Sequence, residues 1–197
     1  MRIAAIGAHF DDVEIGCGGT LQKHIKNEDE VYIVITSADE FRTGLPEIRM
    51  EEQFEAMKLL GLPRNRLITF SRDLPIEYIV SNLDKFQFEL VFAHYQEDTH
   101  QDHRRSSYIA QSVSRKRTMT TIFYESGSSL RFQPNIFSII DFDLKLKLLE
   151  SYQSQIDRQS LNIDIIKKKN HYLGSLVSDD VDTYAEGFVV WKMEYPL

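Results

Sequence analysis

The sequence contains a single cysteine, Cys17, so no disulfide can form within the chain, and a reducing compartment is the expectation. Long apolar runs are also missing. None approaches the roughly 18 residues of a membrane span, and the first apolar stretch is short for a signal-peptide core and runs straight into charged residues. No proline-rich linker, internal repeat or low-complexity segment divides the chain. Positive charge is scarce: 23 Lys and Arg face 30 Asp and Glu, a net charge of -7 that argues for solubility and against a nucleic-acid footprint. The basic clusters, Arg115-Lys116-Arg117 and Lys167-Lys168-Lys169, read as solvated helix faces or loops. These absences point to a cytoplasmic protein. At 197 residues the expectation is one domain, 1–197, with a full α/β core and too little chain for two ordinary ones.

What is present alternates between strand and helix. Ile3 to Gly7 is continuously apolar and ends in polar turn residues, as a strand buried on both faces does. A helix is expected from about Gly18 to Lys26, then a strand at Val31–Ile35 and a helix from Pro46 to Leu60 stopped by Gly61. Leu67–Phe70 and Leu90–Ala93 read as strands around a helix from Pro75 to Phe86. A helix near Asp102, strands at Thr121–Tyr124 and Asn135–Ile140, a helix-rich stretch from Phe142 to Lys169 and a closing strand at Glu186–Trp191 complete the pattern. Such alternation predicts a three-layer, Rossmann-like α/β fold: a mostly parallel sheet with helices on both faces. Ligands of such sheets bind beyond the carboxyl ends of the strands, where His9 and His94 fall.

Two polar packets sit at those ends. The first is His9, Asp11, Asp12 and Glu14 before a glycine-rich segment, and the second runs from His94 to His103. Zinc takes nitrogen and oxygen ligands and, in catalytic sites, keeps one position open. His9 and Asp12 are spaced to share one metal if the chain turns sharply after the strand. His103 is the candidate third ligand, since His100 and His103 share one face at a helix start. Asp11 is then left to accept a proton from attacking water, and His100 to stabilise an oxyanion or protonate a leaving amine. Asp102 or Asp98 would orient His100.

Other residues carry competing readings. His94 reads as a rim residue packed near the site in preference to a ligand, and His24 and His171 as ordinary surface or core histidines. Glu14 either caps the helix start or holds a group of the site. Gly16-Cys17-Gly18-Gly19-Thr20 matches neither a dinucleotide fingerprint nor a P-loop, so its glycines are expected to let a helix approach the sheet, with Cys17 a small buried hydrophobe.

Ala8-His9-Phe10-Asp11-Asp12-Val13-Glu14 resembles the A-H-P-D-D-x-E signature of the PIG-L/LmbE-like zinc-dependent de-N-acetylases. Thr99-His100-Gln101-Asp102-His103 resembles their H-x-D-H signature, and Ala185-Glu186-Gly187-Phe188 their A-E-x-F element. The resemblance implies a hydrolase that removes acetyl from an N-acetylated amino sugar, such as an N-acetylglucosaminyl conjugate, and releases acetate. It implies Zn²⁺ on His9, Asp12 and His103, with Fe²⁺ or another divalent metal as an alternative. Asp11 would be the general base, and His100, backed by Asp102, would act on the tetrahedral intermediate. Arg49 falls where the family has a substrate-contacting arginine, against the plainer reading of a salt bridge on its helix. Phe10 replaces the usual proline and is expected to pack under the loop in preference to lining a sugar pocket.

The stretch Glu125–Asn135 is expected to form part of the pocket wall, with Tyr124 and Arg131 as substrate contacts. A small-molecule sugar is the expected partner, and a homo-oligomer is compatible with the sequence. Two other readings compete: a metal-dependent hydrolase of another amide or an ester, and a non-catalytic domain binding a glycan or sugar nucleotide.

Overall fold

A computed structural model describes residues 1–42, 44–115 and 119–193. Strands β1 (Arg2–Gly7), β2 (Glu30–Ile35), β3 (Leu67–Thr69), β4 (Leu90–His94), β5 (Thr120–Tyr124), β6 (Ile136–Ile140) and β7 (Tyr184–Lys192) form one sheet in the order β3-β2-β1-β4-β5-β7-β6. The first five run parallel, and β7 lies antiparallel between β5 and β6. The helices are α1 (Asp12–Lys26), α2 (Pro46–Leu60), α3 (Ile76–Leu83), α4 (Gln101–Ser114), α5 (Phe142–Glu150), α6 (Gln153–Asp157) and α7 (Ile163–Ser175).

Alternation along β1 sends Ile3 and Ala5 to one face and Ala4 and Ile6 to the other. The first face meets apolar side chains of α1, α2 and α5, the second those of α3 and α4. Helices therefore cover both faces of a mostly parallel sheet, as the alternating sequence predicts. Because β1 has β2 on one side and β4 on the other, the strand order reverses between β1 and β4. That crevice is the usual ligand site of open α/β sheets.

Helix α1 starts at Asp12, six residues before the expected Gly18, and the glycine-rich segment lies inside it. Glycine disfavours helix, but close packing overrides propensity here. A Cβ on Gly16 would stand 2.2 Å from the Tyr124 ring, and one on Gly19 2.7 Å from Ile140. Cys17 is fully buried in the same interface, and Phe10 is 2 % exposed and packs beneath the turn. Gly61 ends α2 in the left-handed conformation, at φ 79°.

An ion pair is built into α1. Lys145 of α5 and Glu186 of β7 are both buried and meet at 2.7 Å. Glu186 accepts the N–H groups of Gly19 at 3.0 Å and Thr20 at 2.8 Å, while Lys145 Nζ donates to the Ile15 carbonyl at 2.8 Å. Gly19 N–H and Ile15 C=O are natural partners of one another in an α-helix. The pair thus stands across that step and ties the first turns of α1 to the far side of the sheet.

Of the basic clusters, Lys116 and Arg117 lie outside the described residues. Lys169 is half-buried and pairs with Glu125 at 2.8 Å, so the second cluster is not wholly solvated. Among the described residues no helix is long and apolar enough to cross a membrane. Replacing Lys145 by Met leaves a buried carboxylate without its cation, and urea denaturation is expected to show a loss of about 3–5 kcal/mol. A Lys145→Met, Glu186→Gln double variant should lose less than the two single losses added together.

Candidate active site

The turn after β1 is made by Asp11 at φ 109° and ψ -30°, a conformation rare for any residue but glycine and costing roughly 1–3 kcal/mol. This reverses the chain, so that Asp11 and Asp12 point apart though adjacent. Asp12 Oδ2 accepts the N–H groups of Ala8 at 3.0 Å and His9 at 2.7 Å, closing the turn. Arg49 of α2 donates to the Phe10 carbonyl at 2.5 Å and stands 3.5 Å from Asp11 Oδ2. Glu14 accepts a hydrogen bond from Gln53 of α2 at 2.7 Å and has Tyr152 and its own N–H, in the first turn of α1, as further partners. Burial raises the Glu14 pKa to about 7.

Three imidazoles gather around Asp12. His94 Nε2 lies 3.0 Å from Oδ2, His9 Nδ1 3.4 Å from Oδ2 and His103 Nε2 3.6 Å from Oδ1. One ligand atom each from His9, Asp12 and His103 falls within 4.8 Å of the others, a group that could hold a metal ion. The second nitrogen of each of these two histidines faces a carboxylate: His9 Nε2 lies 3.3 Å from Asp102, and His103 Nδ1 3.2 Å from Asp98. Metal-binding histidines characteristically turn one nitrogen to a carboxylate and the other to the ion, so the donor set fits a divalent metal.

His94 is fully buried and stacks on His103 with centroids 4.0 Å apart, so it belongs to the floor of the cluster and not to its rim. Asp98 also departs from expectation. Its carboxylate accepts from Ser128 Oγ at 2.6 Å, from Ser126 Oγ, and from the His100 N–H at 2.7 Å, besides facing His103. The Asp102 carboxylate faces His9 and Arg72, so it does not orient His100. His100 caps α4 instead, its Nδ1 accepting the Asp102 N–H at 3.2 Å. In neutral His100 the proton is therefore on Nε2.

Charge follows from this crowding. Burial penalises a charged His9, yet hydrogen bonds to Asp102 and Asp12 prevail and raise its pKa to about 10. His103 is raised in the same way by Asp12 and Asp98 against burial, whereas burial and the neighbouring His103 lower His100. Burial and the charge of Asp12 push Asp11 up to about 8, against the pull of Arg49 and His9. Asp12 is also buried, but His94 and His103 hold it well below the ordinary carboxylate range.

These residues border a cavity of ≈ 730 Å³. His9, Asp11, Asp12, Arg49, His100 and His103 line one side, and Asp102 is on the same wall. Glu40, Arg42, Gln155 and Ser160 also line the cavity, none singled out from the sequence because they come from loops and a short helix without a motif. Two expected contacts lie elsewhere. Tyr124 is fully buried with its hydroxyl donating to the Ile6 carbonyl at 2.8 Å, because the Gly16 surface of α1 lies against its ring. Arg131 projects into solvent, 87 % exposed, with Glu97 at 3.7 Å. The wall from Glu125 to Asn135 contributes Ser126, Gly127 and Ser128.

Residues 4–114, more than half of the chain, match the GlcNAc-PI de-N-acetylase (PIG-L) family. The chain belongs to that family. A PIG-L relative in Escherichia coli K12, the uncharacterized deacetylase YaiS, is 30 % identical over 77 % of this chain and 90 % of its own length. The conserved protein TT1542 from Thermus thermophilus has the same fold, with a TM-score of 0.80 and 24 % identity over 99 % of this chain and 96 % of that one. N,N′-diacetylchitobiose deacetylase from Pyrococcus horikoshii gives a TM-score of 0.71 and 24 % identity over 96 % and 83 % of the two chains. The two PIG-L signature segments are the two packets that meet at Asp12.

With its pKa at about 10, the His9 ring carries a proton in the metal-free PIG-L site at pH 7, and a metal bound there must displace it. Zinc uptake is expected to release protons and to tighten as pH rises toward 10. Calorimetry in two buffers of different ionisation enthalpy measures the release; equal heats in both would show that His9 is not charged.

Proposed function

We propose that the protein is a metal-dependent hydrolase that removes the acetyl group of an N-acetylated amino sugar or its conjugate. The observation that carries this is the meeting, in one cavity, of a three-donor metal set with a separate buried carboxylate, Asp11, and a neutral imidazole donor, His100. A pure binding domain has no use for a further buried carboxylate beside a metal set. A divalent metal, Zn²⁺ or Fe²⁺, held by His9, Asp12 and His103 would supply Lewis acidity toward the amide carbonyl and lower the pKa of water.

The residues of the chain do the rest. Water adds to the acetyl carbon, the C–N bond breaks, and acetate and a free amine result. Burial and Asp12 raise the Asp11 pKa to about 8 in the metal-free site, and beside a divalent cation its carboxylate would be ionised and so able to accept the proton of water. His100 keeps its proton on Nε2 and donates it, as a hydrogen bond, to the oxygen that becomes negative. The leaving nitrogen takes up the proton held by Asp11. Arg49 keeps the Asp11 turn in place and reaches the cavity wall, where its guanidinium can meet a substrate hydroxyl.

The cavity falls within the ~300–1,000 Å³ of small-molecule sites. The carboxylate, guanidinium, amide and hydroxyl groups of Glu40, Arg42, Gln155 and Ser160 in its lining suit a ligand rich in hydroxyls. The same catalytic groups would serve another amide or an ester, and a panel of N-acetylated sugars, simple acetamides and acetate esters assayed for acetate release separates these readings.

Asp11→Asn is expected to keep its metal, measured by elemental mass spectrometry, while kcat falls by roughly 10²–10⁴. Asp12→Ala is expected to lose the metal. Wild-type turnover in Asp11→Asn would remove the base role, and equal metal retention in Asp12→Ala would exchange the roles of the two aspartates.

A further inference from the structure

Arg72 lies in the loop between β3 and α3, outside both signature segments and, among the described residues, outside the cavity lining. Its Nε stands 3.1 Å from Asp102 Oδ1. The other oxygen of that carboxylate, Oδ2, is 3.3 Å from His9 Nε2, and His9 Nδ1 is turned to Asp12. The side chain of Asp102 is 5 % exposed and that of Arg72 28 %, so water screens this contact only in part.

The loop is fixed at both ends of this reach. The Arg72 N–H donates to Asp39 Oδ1 at 2.7 Å, and Ser71 Oγ donates to Asp39 Oδ2 at 2.5 Å. Arg105 of α4 donates to the Leu74 carbonyl at 2.6 Å and to the Thr36 carbonyl at 3.1 Å, pinning the same loop to the end of β2. A guanidinium so anchored does not follow the carboxylate if it swings.

We infer that Arg72 is a positioning residue for the metal set: by holding Asp102 Oδ1 it keeps Oδ2 on His9 Nε2 and so turns His9 Nδ1 toward the ion. The inference rests on the proposed metal role of His9. Partners of this kind, one step behind a ligand, typically contribute 10–100-fold to metal affinity. Lysine would keep a cation near Oδ1 without the planar geometry.

The test uses the whole protein. Zinc affinity is measured by competition with a chromophoric chelator, and the ligand field by the visible absorption of the Co²⁺-loaded protein. Arg72→Met is expected to weaken zinc binding roughly 10–100-fold and to alter the Co²⁺ spectrum, with Arg72→Lys recovering part of both. Metal-free Arg72→Met should melt at the wild-type temperature; if it fails to fold, Arg72→Gln is measured in its place. Wild-type zinc affinity and an unchanged Co²⁺ spectrum in the variant would overturn the inference, even if turnover fell. A wild-type protein that takes up neither metal would instead overturn the metal reading beneath it.

Discussion

The Asp12 carboxylate closes the turn after β1 and at the same time collects the imidazoles of His9, His94 and His103. A buried carboxylate is unfavourable unless it is paired and hydrogen-bonded. Here one oxygen takes two backbone N–H groups and the other is left for His103. The strained Asp11 conformation survives because its neighbours are fixed on both sides. Asp12 is held by these bonds, and Phe10 by the core beneath it and by Arg49 on its carbonyl. Proline is therefore not needed at position 10. The ring of Phe10 restrains the turn by packing where a pyrrolidine would restrain it by geometry.

Two histidine–carboxylate pairs flank this centre, and they differ in what stands behind them. Asp98, behind His103, is enclosed by serine hydroxyls and the His100 N–H, neutral donors that spread its charge. Asp102, behind His9, shares its charge with a guanidinium. His9, which meets both Asp102 and Asp12, is the ring whose pKa rises to about 10. The two histidines thus sit in unequal fields, although the sequence presents them as equivalent members of two short motifs.

The strands were legible because each is a short apolar run with polar residues at its end, and that also located the cavity at the rim of β1 and β4. Asp11, Asp12, His100 and His103 could be read as one cluster because motif spacing reports which side chains leave a strand end or a helix start together. The start of α1 could not, since glycines and small residues in a row signal a loop, and only the Tyr124 and Ile140 surfaces explain them. Tyr124 misled for a related reason. In a strand buried on both faces, apolarity does not say which residue points to the ligand rim and which to a helix. Partners through space were invisible: the serines around Asp98, Arg72 behind Asp102, and Glu40, Arg42, Gln155 and Ser160 in the cavity lining have no periodic or motif signal.

The ion pair across the Ile15–Gly19 step of α1 has a consequence for assembly. The helix that presents the aspartates is formed near the start of the chain, but its N–H groups at Gly19 and Thr20 find their acceptor on β7, more than 160 residues later. A growing chain that has already emerged through α4 possesses His9, Asp11, Asp12, His100 and His103 and still lacks the charge that completes their scaffold. Until the final strand inserts between β5 and β6, α1 has no Glu186 to meet. Competence thus arrives late, as a property of the finished chain and not of the stretch where the chemistry is written.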